Sequence, residues 1–461
     1  MLGIFGIFLS LALLIYLAYR GLSVLVLAPL LALLAVLMNG GVPLLASYTE
    51  VFMKHFAGYA KAYFPLFLLG AIFGKIMDDS GAARSIAHMI AQQLGRQRAV
   101  LAIVLACALL TYGGVSLFVV AFAVFPIAAA LFREAQIPKR LIPGTIALGS
   151  FTFTMTALPG SPQIQNAIPM KFFGTTAYAA PIIGIVGGLI IFVGGMIWLS
   201  FRVKQAAVKG ERFGTGPLPE LAPPPTHSQP HPPALLALLP IFVVLVLNFV
   251  FSQYVFPSQD ASYLAKAPYE TNLKTVIGQW SLICAVSAGI VTALLLQFRY
   301  IASIRESLNQ GALGSLLAIA NTCSEVGYGN LIATLPAFVI IQNAMLGVSS
   351  NPLIAEAISI SALAGITGSA SGGMSIALNI LGERYLEMAQ ATGINPQALH
   401  RVAAIACGSL DTLPHNGAVI TLLAICGLSH RESYADIGMV AVVIPLVATI
   451  AAVILGSFGV V

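Results

Sequence analysis

Thr367-Gly368-Ser369-Ala370-Ser371-Gly372-Gly373-Met374-Ser375 breaks an otherwise apolar run, Leu353–Met388, near its middle. Each flank is about half of the ~20 residues a helix needs to cross a bilayer. Two short helices meeting at such a tip form a re-entrant hairpin, which hydrocarbon tolerates only where the tip is buried in protein or lines a cavity. An earlier run, Val100–Phe132, is broken in the same way by Thr111-Tyr112-Gly113-Gly114-Val115-Ser116. Two further apolar runs are broken around a proline. Leu141–Pro169 is interrupted at Phe153-Thr154-Met155-Thr156-Ala157-Leu158-Pro159-Gly160-Ser161-Pro162-Gln163, and Val402–Leu428 at Leu410-Asp411-Thr412-Leu413-Pro414-His415-Asn416-Gly417.

These interruptions sit in a chain built for lipid. Of 461 residues 58% are hydrophobic and 8% charged, where a soluble domain carries roughly 25% charged residues. Uninterrupted spans are expected at Leu2–Tyr19, Leu22–Met38, Ala62–Met77, Ala177–Phe201, Ala234–Phe256, Thr275–Phe298, Ala312–Cys323 with its flanks, and Tyr434–Val461. Leu2–Tyr19 lacks a basic leader and a small-residue cleavage site, and reads as a retained span. The net charge of +6 comes from basic residues in short loops, which set topology and give no nucleic-acid signature. The five cysteines lie in apolar stretches without CxxC spacing and read as small packing residues.

The two halves of the chain match each other. Gly113-Gly114-Val115-Ser116 corresponds to Gly372-Gly373-Met374-Ser375, and Ala147-Leu148-Gly149-Ser150 to Ala406-Cys407-Gly408-Ser409 at the same offset. Leu158-Pro159 then corresponds to Leu413-Pro414 after a small gap. Three features in one order indicate an internal repeat. The fold expected is therefore an all-α polytopic membrane protein with two inverted-topology repeats, each holding a re-entrant helical hairpin and a discontinuous transmembrane helix. The divisions are N-terminal spans over 1–61, a first repeat over 62–201 (hairpin about 100–132, broken helix about 141–169), a proline-rich cytoplasmic linker over 202–233, and a second half over 234–461 (hairpin about 353–388, broken helix about 402–428). The basic loop Arg202–Arg212 lies inside by its charge. Counting from it, the first hairpin opens inward, the second opens outward, and both termini lie outside. Glu383, Arg384, Glu387 and Arg401 flank the second mouth, with Glu356 solvated near it. Arg84–Leu94 reads as an amphipathic interfacial helix. Leu331–Gly347 is read likewise, although it is apolar enough to cross.

Chemistry concentrates at the breaks. The second half of a broken helix begins with free N–H groups at the positive end of its dipole, a seat for an anion that needs no buried Lys or Arg. Gly113, Gly114, Ser116, Thr156, Pro159, Gly160, Ser161, Thr367, Ser369, Ser371, Gly372, Gly373, Ser375, Thr412 and Asn416 are the candidate binding residues. Glycine lets backbone approach a ligand, proline frees carbonyls, and the hydroxyls and amides serve a hydroxylated carboxylate. The same small residues also permit close helix packing. Asp411 and His415, four apart, either relay a coupling proton or act locally, Asp411 capping the following half-helix. Glu325 is a second proton carrier, or the interfacial end of a span. No HExxH, GxSxG or Walker loop occurs, so no enzyme activity, metal or cofactor is expected and an ion gradient must supply the energy.

Ala157–Val419 contains four long runs that resemble the gluconate permease (GntP) family of the ion transporter superfamily: Ala157-Leu158-Pro159-Gly160-Ser161-Pro162-Gln163-Ile164-Gln165-Asn166, Ser324-Glu325-Val326-Gly327-Tyr328-Gly329, Gly365–Gly373 and Leu410–Val419. The resemblance implies proton symport of a small organic anion across a bacterial cytoplasmic membrane, by a homodimer with an elevator-like transport domain. Gluconate-type members carry a motif richer in proline and histidine where this chain has Leu158-Pro159-Gly160-Ser161, so a shorter acid such as 3-hydroxybutyrate, or another short organic acid, fits the sparser polar lining at least as well as a gluconate-type cargo. Sodium coupling and an anion channel are the alternatives.

Overall fold

Apolar sequence without water to bond its backbone must close its own hydrogen bonds, and the chain does so with helices. The computed structural model describes residues 2–20, 22–115, 117–214, 231–341, 347–414 and 416–461; among them there is no strand. Among the described residues five helices are long and apolar enough to cross a bilayer: Leu44–Asp79 (α3), Pro181–Val208 (α10), Ala234–Val255 (α11), Leu273–Tyr300 (α12) and His430–Ser457 (α18). This is a multi-pass membrane protein.

One group of helices is uninterrupted. α1 (Leu2–Tyr19) and α2 (Val24–Asn39) pack side by side, with Asn39 Nδ2 donating to the Gly3 carbonyl at 3.4 Å across the pair. α13 (Ile304–Ala333) lies along α3 and α2. Gly311 makes this contact possible, because a Cβ there would stand 2.8 Å from the Ile72 Cα. The Ser10 and Tyr328 hydroxyls, 2.8 Å apart, fix α1 to α13.

The other group is broken where the sequence is broken. α5 (Ala99–Tyr112) and α6 (Leu117–Glu134) flank the first glycine tip, and α14 (Pro352–Thr367) and α15 (Ala370–Thr392) the second. α7 (Ile142–Ser150), α8 (Phe153–Thr156) and α9 (Ile164–Phe173) form the first proline-interrupted stretch, and α16 (Pro396–Leu410) and α17 (Gly417–Cys426) the second. α14 and α15 meet at Gly373, where a side chain would strike the Ala364 backbone.

α4 (Ala82–Leu94) turns 106° from the segment that holds α5. Ile86, Ala87 and Ala91 are buried, while Arg84, His88, Gln92 and Gln93 are exposed, the amphipathic division expected. In the other half, α13 absorbs Leu331–Ala333, and Ala337 then approaches Gly3 beside Asn39. Residues 342–346 of that stretch lie outside the described residues.

Polar clusters mark the two ends of α18. At its beginning, Asp436 is 1% exposed and accepts from Arg202 Nε at 2.7 Å, Trp198 Nε1 at 3.0 Å and Arg140 Nη1 at 3.3 Å. Arg140 also pairs with Glu211 at 2.7 Å. This cluster gathers the α6–α7 connection and the end of α10. At the far end of α18, Asn351 Nδ2 donates to Ser457 Oγ at 2.7 Å, bringing the start of α14 there. The two glycine-broken pairs thus have their open ends at opposite ends of α18.

Asp436→Ala should lower stability by about 3 kcal/mol, the low end for removing one partner of a buried ion pair, since Arg140 and Arg202 keep about a fifth of their surface in solvent. A thermal melt in detergent compared with Asp436→Asn measures it, and a shift of less than a degree in both variants would refute the cluster's structural role.

Candidate functional site

Each glycine tip is tied to the proline-interrupted stretch that follows it. In the first half Tyr112 Oη donates to the Pro159 carbonyl at 2.7 Å, and Gln163 Nε2 donates to the Thr111 carbonyl at 2.7 Å. In the second half Asn416 Nδ2 donates to the Gly368 carbonyl at 2.8 Å and to the Asp411 carbonyl at 2.9 Å. Gln163 and Asn416 occupy the same place, the N-cap of the second half-helix (α9 and α17). One amide side chain therefore satisfies carbonyls freed at two breaks, as burial of those groups demands. Asn416 also caps α17 by accepting from Val419 N at 2.9 Å. The two interrupted stretches touch at Gly408, where a Cβ would lie 2.7 Å from Thr156 Cγ2. Three of the four breaks are joined to one another by these contacts, and the fourth through the tie at Asn416.

Several predicted binding residues have their polar atoms engaged by protein. Thr156 donates to the Thr152 carbonyl at 3.1 Å, Thr367 to Leu363 at 2.8 Å, and Thr412 to Ala441 at 2.8 Å. The Pro159 carbonyl is taken by Tyr112, that of Gly160 by Asn248 Nδ2 at 3.2 Å, and that of Ser161 by Asn166 Nδ2 at 2.9 Å. Gly113 packs on Ile241, and Gly160, at φ +81°, lies on the Tyr178 ring. Gly114, at φ +95°, meets Pro162. Gly373 serves the α14–α15 contact. What remains open is at the second tip. Ser371 is half-buried, Ser369 caps α15 by accepting from Gly372 N at 3.1 Å, and the buried Ser375 hydroxyl has no protein partner. Ser116 and His415 lie outside the described residues.

The acids differ from expectation in three ways. α16 ends at Leu410 and α17 begins at Gly417, so Asp411 lies in the break and shares no helix face with position 415; Pro414 cannot continue the helix. Asp411 is also not the cap of α17, which is Asn416. It is 8% exposed, with Oδ1 unpartnered. Glu325 is not at an interfacial end: it is 7% exposed within α13, with Oε2 unpartnered beside the start of α15. Glu356, expected in solvent, is fully buried in α14 with neither oxygen partnered.

Arg401, counted from sequence as a charge flanking the second mouth, is also fully buried. Its Nε and Nη2 donate to the Ala179 carbonyl at 3.0 and 2.7 Å, Nη2 also to Ala177 at 3.1 Å, and Nη1 to Asn166 Oδ1 at 3.0 Å. Asn166 Oδ1 accepts from His400 Nε2 as well, at 3.1 Å, which assigns the ring proton to Nε2 and leaves Nδ1 to accept from Thr175 Oγ1 at 2.6 Å. This network fastens α16 to the α9–α10 connection. Thr175, Tyr178 and Gln397 above it line an open cleft of about 690 Å³. The signal missed was position: Arg401 stands directly before the apolar stretch Val402–Cys407, inside the helix.

The chain is 48% identical over 443 residues, 94% of each sequence, to the uncharacterized transporter YxjC of Bacillus subtilis. It belongs to that transporter's family. An uncharacterized transporter of Haemophilus influenzae is 29% identical over 34% of the chain and 35% of its own length. No family profile matches. Among solved structures the YdaH transporter of Alcanivorax borkumensis superposes with a TM-score of 0.51 at 16% identity, covering 89% of this chain and 86% of that one. MtrF of Neisseria gonorrhoeae, described among antimetabolite efflux pumps, gives 0.50 at 13% identity, over 90% and 84%. At these identities the two share the fold alone. The transporter expectation stands on the YxjC relationship; the likenesses do not support the gluconate permease family.

Arg401→Met should destabilise by roughly 2–4 kcal/mol, because the carbonyls of Ala177 and Ala179 and the Asn166 amide oxygen lose a buried donor. Arg401→Lys should recover only part, lacking the planar fork. Detergent melts of the two variants check the order, and equal stability of Arg401→Met and wild type would overturn it.

Proposed function

We propose that this chain imports a small organic anion together with protons across the bacterial cytoplasmic membrane. The broken helices α5–α9 and α14–α17 form the cargo-holding bundle, and the uninterrupted α1–α3 and α13 the scaffold against which it moves. The observation that carries this reading is the repeated cross-tie, Gln163 to Thr111 and Asn416 to Gly368. It holds a hairpin tip against a half-helix N-terminus in each half, which is how discontinuous helices present dipole ends to an anion near mid-membrane. The opposite placement of the two open ends along α18 supports inverted repeats over 62–201 and 234–461. Ser369, Ser371 and Ser375 are the proposed cargo contacts, and Asp411 the proton carrier. A short hydroxy acid such as 3-hydroxybutyrate suits so few free hydroxyls better than a polyhydroxylated one.

Purified protein in a thermal-shift screen against short hydroxy, keto and sugar acids should be stabilised by its cargo, by about 2.7 kcal/mol at a hundredfold excess over Kd. In proteoliposomes an inward proton gradient should drive 3-hydroxybutyrate uptake. Asp411→Asn should weaken that gradient dependence while counterflow exchange persists; undiminished gradient-driven uptake would refute the role of Asp411. Ser371→Trp should block uptake, and normal uptake would remove the second tip from the cargo site.

A further inference from the structure

Gly372 is the third residue of α15, and a Cβ on it would collide with Glu325 Oε2. The glycine therefore makes room for a carboxylate from another element. Glu325 comes from α13, on the scaffold side, and reaches across to the first turn of α15, on the hairpin side. The Ser369 hydroxyl that caps α15 faces the same carboxylate. The Tyr59 and Ser375 hydroxyls lie near by, and neither they nor Glu325 Oε2 has a hydrogen-bond partner among the described residues. The titratable neighbours are Tyr59 of α3, with Tyr63 stacked beyond it at 4.6 Å, and Cys323 on α13 itself. α2 and the first turns of α15 contain no charged residue.

We propose that Glu325 occupies the seat of the cargo's carboxylate at the N-terminus of α15. A helix start stabilises one anion, and two carboxylates sharing one site cannot both be ionised without large cost. The cargo anion therefore takes this seat only when Glu325 carries a proton. Anion binding and proton uptake become one event, and the contact between scaffold and hairpin is released as the cargo arrives. This inference rests on the second tip being a cargo site, and it assigns the binding-linked proton to Glu325, leaving Asp411 its separate part.

The test is calorimetric titration of purified protein with 3-hydroxybutyrate between about pH 6 and pH 9, in buffers of different ionisation enthalpy. Above the titration of Glu325 the wild-type Kd should rise about tenfold per pH unit, the slope of one linked proton, with one proton taken up per anion bound. Glu325→Gln should flatten the profile and remove that proton uptake. Gly372→Ala, which evicts the carboxylate, should weaken the slope. A Glu325→Gln variant that keeps both slope and proton uptake overturns the proposal, whereas loss of both is a result that a packing role alone does not produce. Hydrogen exchange over residues 368–376 of unliganded protein decides the docking even where wild type takes no 3-hydroxybutyrate. Exchange at pH 8, about the upper half of that range, should be several-fold faster in Glu325→Gln, and equal exchange overturns the docking. Docked Glu325 without 3-hydroxybutyrate binding would count against that cargo and not against the seat.

Discussion

Stopping a helix inside hydrocarbon strands carbonyls on one side of the stop and N–H groups on the other, and lipid can bond neither. The architecture follows from meeting that demand four times within one bundle. Each half uses the same answer: an amide side chain at an N-cap reaches the carbonyl of a neighbouring tip, so that one broken element completes another. A break alone would be a defect. Paired breaks become mutually satisfying.

The same constraint explains why glycine is placed as it is. At Gly373 and Gly408 the missing side chain brings helices together, whereas at Gly372 it admits a foreign carboxylate. Sequence cannot separate these uses, because all three read as small residues near a tip. The positions of the breaks were legible from Gly, Ser and Pro inside apolar runs, but the helices flanking the two glycine tips, 14, 18, 16 and 23 residues long, exceed the half-spans expected. Which hydroxyls were spare was not legible: Thr156, Thr367 and Thr412 look as suitable as Ser375, but Thr156 and Thr367 bond the carbonyl four residues back, a habit of threonine in helices, and Thr412 bonds the distant Ala441 carbonyl.

Charged residues were misread for a related reason. Arg401 and Glu356 sit near the termini of helices, where a linear reading places water. Short helices that start below the surface carry their first turns into the protein, and there the charges meet carbonyls or nothing. Arg401 makes four hydrogen bonds to three acceptors because the α9–α10 connection turns back over α16, a long-range closure with no trace in the spacing of either segment.

The buried acids also set a limit on energetics. Glu325, Glu356 and Asp411 each hold at least one oxygen without a protein partner, and ionising such a group in place costs several kcal/mol. Arg401 pairs with no acid among the described residues. Arg401 is therefore a buried positive charge held by neutral acceptors alone, a feature that favours an anion near it. One proton per monovalent anion makes transport electroneutral. If Glu325 and Asp411 each bring a proton, the loaded carrier gains one positive charge, and the membrane potential contributes about 2.3 kcal/mol per 100 mV to inward movement. On the proposed roles, two separate acids, one on α13 and one in a break, would let voltage as well as pH drive the carrier.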